Sequence, residues 1–212
     1  DGTFDGDGHQ IIGVTLSEEM SDYGLFRYVT ENGVVKNLTV EGEILGGDEQ
    51  ENIGILAGSN AGAIENCITR GTLNAETAVG GITGKNEETG SVSRSENEAA
   101  IDGKMQTGGI AGLNEGGISD CVNSGKINTN QKIKKQAEGD GSSVNISIPN
   151  AVTGLTADER ANETGGIAGN SSGDISYCTN TATIGFERLG SSTGGVVGRQ
   201  LGSLSYCANK GV

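Results

Sequence analysis

The 212-residue sequence predicts an all-β fold, a right-handed parallel β-helix of about six to seven coils with one long insertion. Three observations predict it. One motif recurs along the chain, residues within each copy alternate with a period of two, and turns rich in glycine and asparagine separate the short apolar segments. The right-handed sense is the general preference of crossover connections between parallel strands.

The repeat is clearest at 107–127, TGGIAGLNEGGISDCVNSGKI, and it recurs at 164–184 as TGGIAGNSSGDISYCTNTATI. Six copies can be aligned, and their opening glycines are Gly24, Gly54, Gly80, Gly108, Gly165 and Gly194. Successive copies are therefore 30, 26, 28, 57 and 29 residues apart. A period near 28 residues is typical of proteins in which each repeat forms one layer of a stack.

Each copy contains short apolar segments of the length expected for β-helix strands. From Cys121 to Ile127, inward-type residues alternate with outward-type residues, which is typical of a strand with one buried side. Two further segments, at 109–112 and around Ile118, are bounded by glycine or asparagine. Short strands joined by tight corners form one coil, and coils pair at a spacing of about 4.8 Å.

Aligned copies predict columns of equivalent side chains along the stack. The inward column at the cysteine position contains Leu38, Cys67, Ser95, Cys121, Cys178 and Cys207. Two residues later, a second inward column contains Asn97, Asn123, Asn180 and Asn209. We expect these asparagines to hydrogen-bond one another and the corner backbone, because buried amides need partners.

The four cysteines share one column, which predicts buried thiols. A disulfide between Cys178 and Cys207 is the alternative, because a disulfide tolerates a Cα separation of about 4.8 Å. In a parallel column the Cβ atoms are also about 4.8 Å apart, which exceeds the usual Cβ separation in a disulfide. The sequence contains no CxxC motif, and its one histidine, His9, is far from the cysteines in the repeat register. We therefore expect neither a zinc site nor any other cofactor.

The N-terminal segment GTFDGDGH suggests a calcium loop at first, because Asp5 and Asp7 are spaced as ligands. The later ligand positions hold His9 and Leu16, so a turn that leads into the first strand is predicted instead. Phe4, Phe26 and Leu38 provide bulk that could cover the end of the stack.

Residues 128–163 account for the doubled step between copies and form either an insertion or one degenerate coil. Insertions in repeat proteins often carry binding specificity, so this segment is a candidate ligand contact. Its one basic run contains Lys132, Lys134 and Lys135. A solvated loop without a ligand is the alternative.

The net charge of -14 argues against nucleic acid and anionic membranes as partners, since 14 Lys and Arg are scattered among 28 acids. No run of 18 apolar residues suggests membrane insertion. The chain begins at Asp1 without a signal peptide and ends within a repeat strand. It is therefore expected to be one domain, residues 1–212, excised from a larger protein and monomeric as a fragment.

The pattern G-G-I-A-G followed by G-x-I-x-x-C-x-N-x-G at 108–125, together with F-D-G-x-G-H at 4–9, resembles the GLUG repeat family. The resemblance implies a secreted or wall-attached bacterial protein. Such repeats occur in adhesin-like proteins and in the non-catalytic N-terminal region of IgA1-specific zinc metallopeptidases. The peptidase chemistry itself would require an HExxH motif, which this sequence lacks.

Polysaccharide enzymes with a β-helix fold need carboxylates close together on adjacent coils, and the outward columns beside the cysteines contain no such neighbours. The residues just before two cysteines, Tyr177 and Tyr206, should stack on the surface. They could form a platform for a sugar or peptide, or simply pack as strand neighbours.

These observations favour a non-catalytic module, extracellular or on the bacterial cell surface, that acts in adhesion or binds a host protein or glycan. Two alternatives remain open. One is the substrate-positioning region of an IgA1-type metallopeptidase, and the other is a rigid spacer.

Overall fold

The computed structural model describes residues 2–16, 20–45, 50–128, 162–185 and 192–211. Within these ranges the chain forms strands, turns and bends and contains no helix. Of the predicted segment 128–163, only Asn128, Asn162 and Glu163 belong to the described residues. The candidate contacts Lys132, Lys134 and Lys135 lie outside them.

The described residues form 24 short strands. The first eight are β1 (Gly2–Asp5), β2 (Gln10–Leu16), β3 (Phe26–Val29), β4 (Gly33–Lys36), β5 (Thr39–Leu45), β6 (Glu51–Gly54), β7 (Ala57–Asn60) and β8 (Ala63–Glu65). The next eight are β9 (Ile68–Gly80), β10 (Thr83–Asn86), β11 (Ser91–Ser93), β12 (Glu96–Asn97), β13 (Ala100–Gly108), β14 (Ala111–Asn114), β15 (Gly117–Ser119) and β16 (Val122–Asn123). The last eight are β17 (Asn162–Gly165), β18 (Ala168–Ser171), β19 (Asp174–Ser176), β20 (Thr179–Asn180), β21 (Thr193–Gly194), β22 (Val197–Gln200), β23 (Leu204–Ser205) and β24 (Ala208–Asn209).

Three parallel sheets run along the stack. Sheet A has the order β1-β4-β8-β11-β15-β19-β23, and sheet C has the order β3-β7-β10-β14-β18-β22. The remaining described strands form sheet B. Each strand pairs in parallel with its equivalent one repeat away, as Ile118 does with Val92 and Ile175. The predicted all-β class and parallel β-helix are confirmed, with stacked coils that form about six turns.

A narrow apolar core fills the inside of the coils. Sheet A contributes the buried column Ile64, Val92, Ile118 and Ile175. The corner between sheets B and C contributes Ile82, Ile110 and Ile167, each 0% exposed. Full burial of one such side chain stabilises the fold by about 1.5–3 kcal/mol, so the repeated isoleucines hold every coil to its neighbours.

The repeat motif combines a glycine pair with an asparagine because the two pack against each other. A Cβ on Gly109 would lie 2.3 Å from the Asn123 side chain and 2.4 Å from the Gly166 carbonyl oxygen. The same contact joins three more pairs, namely Gly81 with Asn97, Gly166 with Asn180, and Gly195 with Asn209. In the second coil, Ile55 is the equivalent of Gly81, and Thr69 is the equivalent of Asn97. Glycine therefore occurs where the facing residue is the larger asparagine.

The fourth and fifth coils are in direct contact although their copies are 57 residues apart. Strand β14 pairs with β18, and Ile127 bridges to Ile184. The Asn128 amide nitrogen donates to the Thr164 hydroxyl at 2.8 Å, and its oxygen accepts from the Gly103 amide at 2.7 Å. No coil therefore separates these two described coils in the stack.

The N-terminal residues form part of a coil rather than a simple turn. The predicted turn is present at Asp7 and Gly8, but strand β1 precedes it and pairs with β4. The rings of Phe4 and Phe26 meet edge to face with centroids 5.1 Å apart. Phe4 remains 42% exposed, so the expected aromatic cover of this end is incomplete.

Candidate functional site

The inward asparagines form a continuous hydrogen-bonded ladder in sheet B. Asn97 donates from Nδ2 to Oδ1 of Asn123 at 2.8 Å, Asn123 donates to Asn180 at 2.8 Å, and Asn180 donates to Asn209 at 2.7 Å. The second amide hydrogens of Asn97, Asn123 and Asn180 reach the carbonyl oxygens of Ala99, Gly125 and Ala182, respectively, at 3.0 Å. These buried amides are satisfied by the protein itself, which makes the ladder structural.

A second buried ladder, which the repeat pattern did not predict, follows the corner between sheets C and A. Asn60 donates from Nδ2 to Oδ1 of Asn86 at 2.8 Å, Asn86 donates to Asn114 at 2.8 Å, and Asn114 donates to the Ser171 hydroxyl at 3.0 Å. Asn114 and Ser171 lie two residues before a corner glycine, as Asn60 does. This two-residue spacing could have revealed the second ladder in the sequence, but two extra residues between Asn86 and Gly90 obscure it.

The cysteine column lies inside the stack, and all four cysteines are free. Leu38, Cys67, Ser95, Cys121 and Cys178 are buried, and Cys207 is half-buried. Burial raises the pKa of the Cys67 thiol to about 11. A hydrogen bond with Cys121, together with burial, raises the pKa of Cys178, and burial raises that of Cys207. Raised thiol pKa values make these groups poor nucleophiles, because the thiolate is the reactive form.

The outward carboxylates beside the ladder pair with cations on adjacent coils. Arg70 forms two hydrogen bonds with the Glu98 carboxylate, at 2.8 and 3.0 Å, and these hold the pKa of Glu98 below its ordinary value. Arg94 contacts Glu65 at 2.9 Å. A carboxyl group with a lowered pKa is a poor general acid, so Glu98 is unsuited to that role.

Tyr177 and Tyr206 form the most exposed aromatic feature of the described surface. Their rings stack with centroids 4.9 Å apart and planes 5° from parallel. The two residues are 58% and 78% exposed. Both have left-handed backbone conformations, with φ of 55° and 53°. The predicted surface stack is therefore present, and it projects from the corner between sheets A and B.

Metal and membrane features can be assessed over the same described ranges. In these ranges no three His, Cys, Asp or Glu side chains are grouped so that they could hold a metal ion. None of the described segments is a helix with the length and apolarity needed to span a membrane.

Comparison with known proteins finds a partial similarity to one curated protein. No family model matches the chain, and no solved structure matches it significantly. Halomucin from Haloquadratum walsbyi is similar to part of it, with 34% identity over 88 residues. The aligned segment is 41% of this chain but 1% of halomucin, so the chain spans only a small fraction of that protein. Membership of the GLUG family remains a prediction.

Proposed function

We propose that this chain is a non-catalytic β-helical module of an extracellular or cell-surface protein and that it binds a host protein or glycan at the stacked pair of Tyr177 and Tyr206. The observation that carries the proposal is the geometry of this pair, two parallel rings exposed on a rigid stack. Aromatic rings with a polar hydroxyl supply large contact area at low entropic cost, as in many binding surfaces.

The backbone at this corner argues that the tyrosines serve more than local folding. Asn37, Asn66 and Asp120 occupy the same corner position in other coils, and they also have positive φ. Asparagine and aspartate tolerate this conformation, whereas a bulky side chain adopts it at a cost on the order of 1 kcal/mol. Stacking of the two rings stabilises the fold by about the same amount as the backbone conformation costs, so the pair gives no net gain in folding stability. Arg94 has the same conformation at this corner in the third coil and contacts Glu65 at 2.9 Å, so a long side chain also occurs here where it makes a surface contact.

The location is supported by the similarity to halomucin, and the charge bears on solubility. The similarity to halomucin favours an extracellular protein, although it covers a small part of that protein. The net charge of -14 keeps an elongated module soluble and separated from anionic surfaces.

The test is an array of glycans and host proteins probed with the wild-type chain and with Tyr177→Asn, Tyr206→Asn and the double variant. Asparagine is already present at this corner in Asn37 and Asn66, so these variants should fold. We expect the double variant to lose binding at least tenfold. Asp120→Asn, at the same corner one coil earlier, is the matched control and should bind as the wild type does. A ligand that binds the double variant normally would contradict the assignment of the site.

A rigid spacer is the second candidate, and the unbroken ladder from Asn97 to Asn209 favours it because it fixes the coils relative to one another. An array with no binder, together with full activity of the parent protein after deletion of 128–163, would support the spacer. The remaining alternative is the substrate-positioning region of an IgA1-type metallopeptidase. It predicts an HExxH domain in the parent protein.

A further inference from the structure

A second surface feature arises from unequal corner lengths between sheets C and A. In the second coil, one residue, Ala61, separates Asn60 from the corner glycine, and the fourth coil has the same short corner. The first and third coils have three residues at this corner, at 30–32 and 87–89. Hydrogen bonds from Gly33 to Thr30 at 2.6 Å and from Gly90 to Glu87 at 2.8 Å close these longer turns. Two protruding turns therefore flank one recessed corner.

The recessed corner is the floor of an open groove of about 620 Å³. Ala61 and Ser59 lie at the floor, and Val29 and Tyr28 contribute an apolar and aromatic side. The walls are two coils apart, so at a coil spacing of about 4.8 Å they are about 10 Å from each other. This separation leaves room for the backbone of one extended peptide between the walls, since neighbouring strands lie about 4.8 Å apart.

The groove is preorganised. The Tyr28 hydroxyl donates to Asp22 at 2.8 Å, and the Arg27 guanidinium lies 5.7 Å from the centre of the Tyr28 ring. On the opposite wall, the Thr89 hydroxyl donates to the Ala61 carbonyl oxygen at 2.8 Å, which fastens the turn to the floor. Fixed walls lower the entropic cost of binding.

The walls carry acids that suit a cationic occupant. Glu31 belongs to the first wall and Glu88 to the second, and within the described part of the chain neither forms an ion pair. Beside them, Lys85 shows how this surface holds an ammonium group, since its Nζ lies 2.8 Å from Glu87 and 3.1 Å from Glu115 on successive coils. Glu31 and Glu88 lie farther apart, on walls two coils from each other, so each can receive a different cationic side chain of an occupant.

We infer that this groove binds an extended, lysine- or arginine-bearing peptide segment of a partner protein. The aliphatic parts of the basic side chains pack on the exposed ring of Tyr28, while their charged ends reach Glu31 and Glu88. The site lies at a different corner from the tyrosine pair and does not depend on the function proposed for that pair.

The probe is a fluorescein-labelled hexapeptide of alternating lysine and serine, and its affinity is measured by fluorescence anisotropy at low and physiological salt. One variant combines Glu31→Gln with Glu88→Gln. A second deletes Glu88 and Thr89, which gives the third coil the Asn-Glu-Gly corner of the fourth coil, Asn114 to Gly116. The charge-matched control combines Glu43→Gln with Glu51→Gln on sheet B, away from the groove.

We expect each groove variant to weaken binding at least tenfold and the control variant to weaken it less than twofold at physiological salt. Equal weakening in all variants would show that only net charge attracts the peptide and would overturn the proposal, as would a lack of binding to the wild type. Displacement of the peptide by an equal concentration of spermine would also overturn it, because an amine alone would then be the occupant.

Discussion

Residues with positive φ show how one backbone requirement is met by different side chains. Eleven residues in two columns have φ between 49° and 60°. The column at the corner between sheets A and B contains Asn37, Asn66, Arg94, Asp120, Tyr177 and Tyr206, and the other contains Asp22 together with Asn52, Ala78, Gln106 and Glu163, which lie within β6, β9, β13 and β17. Only the asparagines and aspartates suit this conformation intrinsically. The others are held in it by the pairing of flanking strands, at a cost on the order of 1 kcal/mol each.

The thiol of Cys67 should make stability depend on alkaline pH. Its pKa is about 11 in the folded chain against 9.0 as the ordinary value, so the stabilisation is complete below pH 9 and is lost as pH rises from 9 to 11. A shift of this size corresponds to about 2–3 kcal/mol. Cys67→Ser should reduce that loss, as measured by urea unfolding at pH 8.5 and 11.

Serine is a suitable replacement because the same column already contains Ser95, whose hydroxyl donates to the Ser93 carbonyl oxygen at 2.9 Å. The other titrating groups are common to both proteins, so the difference between their pH profiles isolates Cys67. Parallel profiles would refute the assignment.

Gly109 and Gly117 provide a matched pair within one coil. A Cβ on Gly109 would lie 2.3 Å from the Asn123 side chain and 2.4 Å from the Gly166 carbonyl oxygen, whereas a Cβ on Gly117 would meet no atom within 4 Å. We expect Gly109→Ala to lower the free energy of unfolding by at least about 3 kcal/mol, because the coils must separate to admit the methyl group.

Gly117→Ala should be neutral or slightly stabilising, since Ala63 occupies the equivalent position two coils earlier and alanine restricts the unfolded chain. Urea unfolding of both variants measures the difference. Equal stability of the two variants would show that the contact between glycine and asparagine is not restrictive.

At the scale of elements, the asparagine ladder ties successive coils of sheet B to one another. Asn123 is an interior rung that accepts from Asn97 and donates to Asn180, and it is 0% exposed. Removing its side chain by Asn123→Ala takes the acceptor from one Asn97 amide hydrogen and a donor from the Gly125 carbonyl oxygen. Asn180 Oδ1 also loses a donor but still accepts from the Ala182 amide at 3.3 Å. Each unsatisfied buried group costs about 1–3 kcal/mol, so we expect a loss of about 2–4 kcal/mol in urea unfolding.

The matched control is Asn209→Ala in the exposed end rung of the same ladder, where Nδ2 contacts only the Gly211 carbonyl oxygen at 3.3 Å. Asn209 is exposed, so water can replace the bonds that this variant takes from Asn180 and Gly211, and the loss should be smaller than that of Asn123→Ala. If both variants lost the same free energy of unfolding, burial would not determine how much a rung contributes to stability.

At the scale of the whole molecule, the repeat predicted what depends on residue spacing. The period-two alternation placed the cysteine and asparagine columns inside, because the two faces of a strand alternate strictly. The repeat pattern could not predict the groove, because the groove forms where a coil with a short corner lies between two coils with longer corners. It also missed the ladder through Asn86, because two extra residues before Gly90 shift the corner out of register.

The contact between the fourth and fifth coils makes a prediction about the long step in the repeat. Ile101 bridges to Ile127, and Met105 pairs with Asn162. Only three residues, 102–104, connect Ile101 to Met105, whereas residues 128–161 connect Ile127 to Asn162. Replacing residues 129–161 by Gly-Lys, the equivalents of Gly103 and Lys104, should therefore preserve the stack. We expect a free energy of unfolding no lower than that of the wild type, since a shorter connection loses less entropy on closure.

Far-ultraviolet circular dichroism and urea unfolding measure the outcome. A glycine and serine segment of the original length is the control, because it separates the effect of length from that of sequence. If both variants keep the β signal and the shorter one is at least as stable, the coils are joined by their own contacts. A loss of more than about 2 kcal/mol in both would show that residues 129–161 contribute packing to the stack, since neither variant retains their side chains.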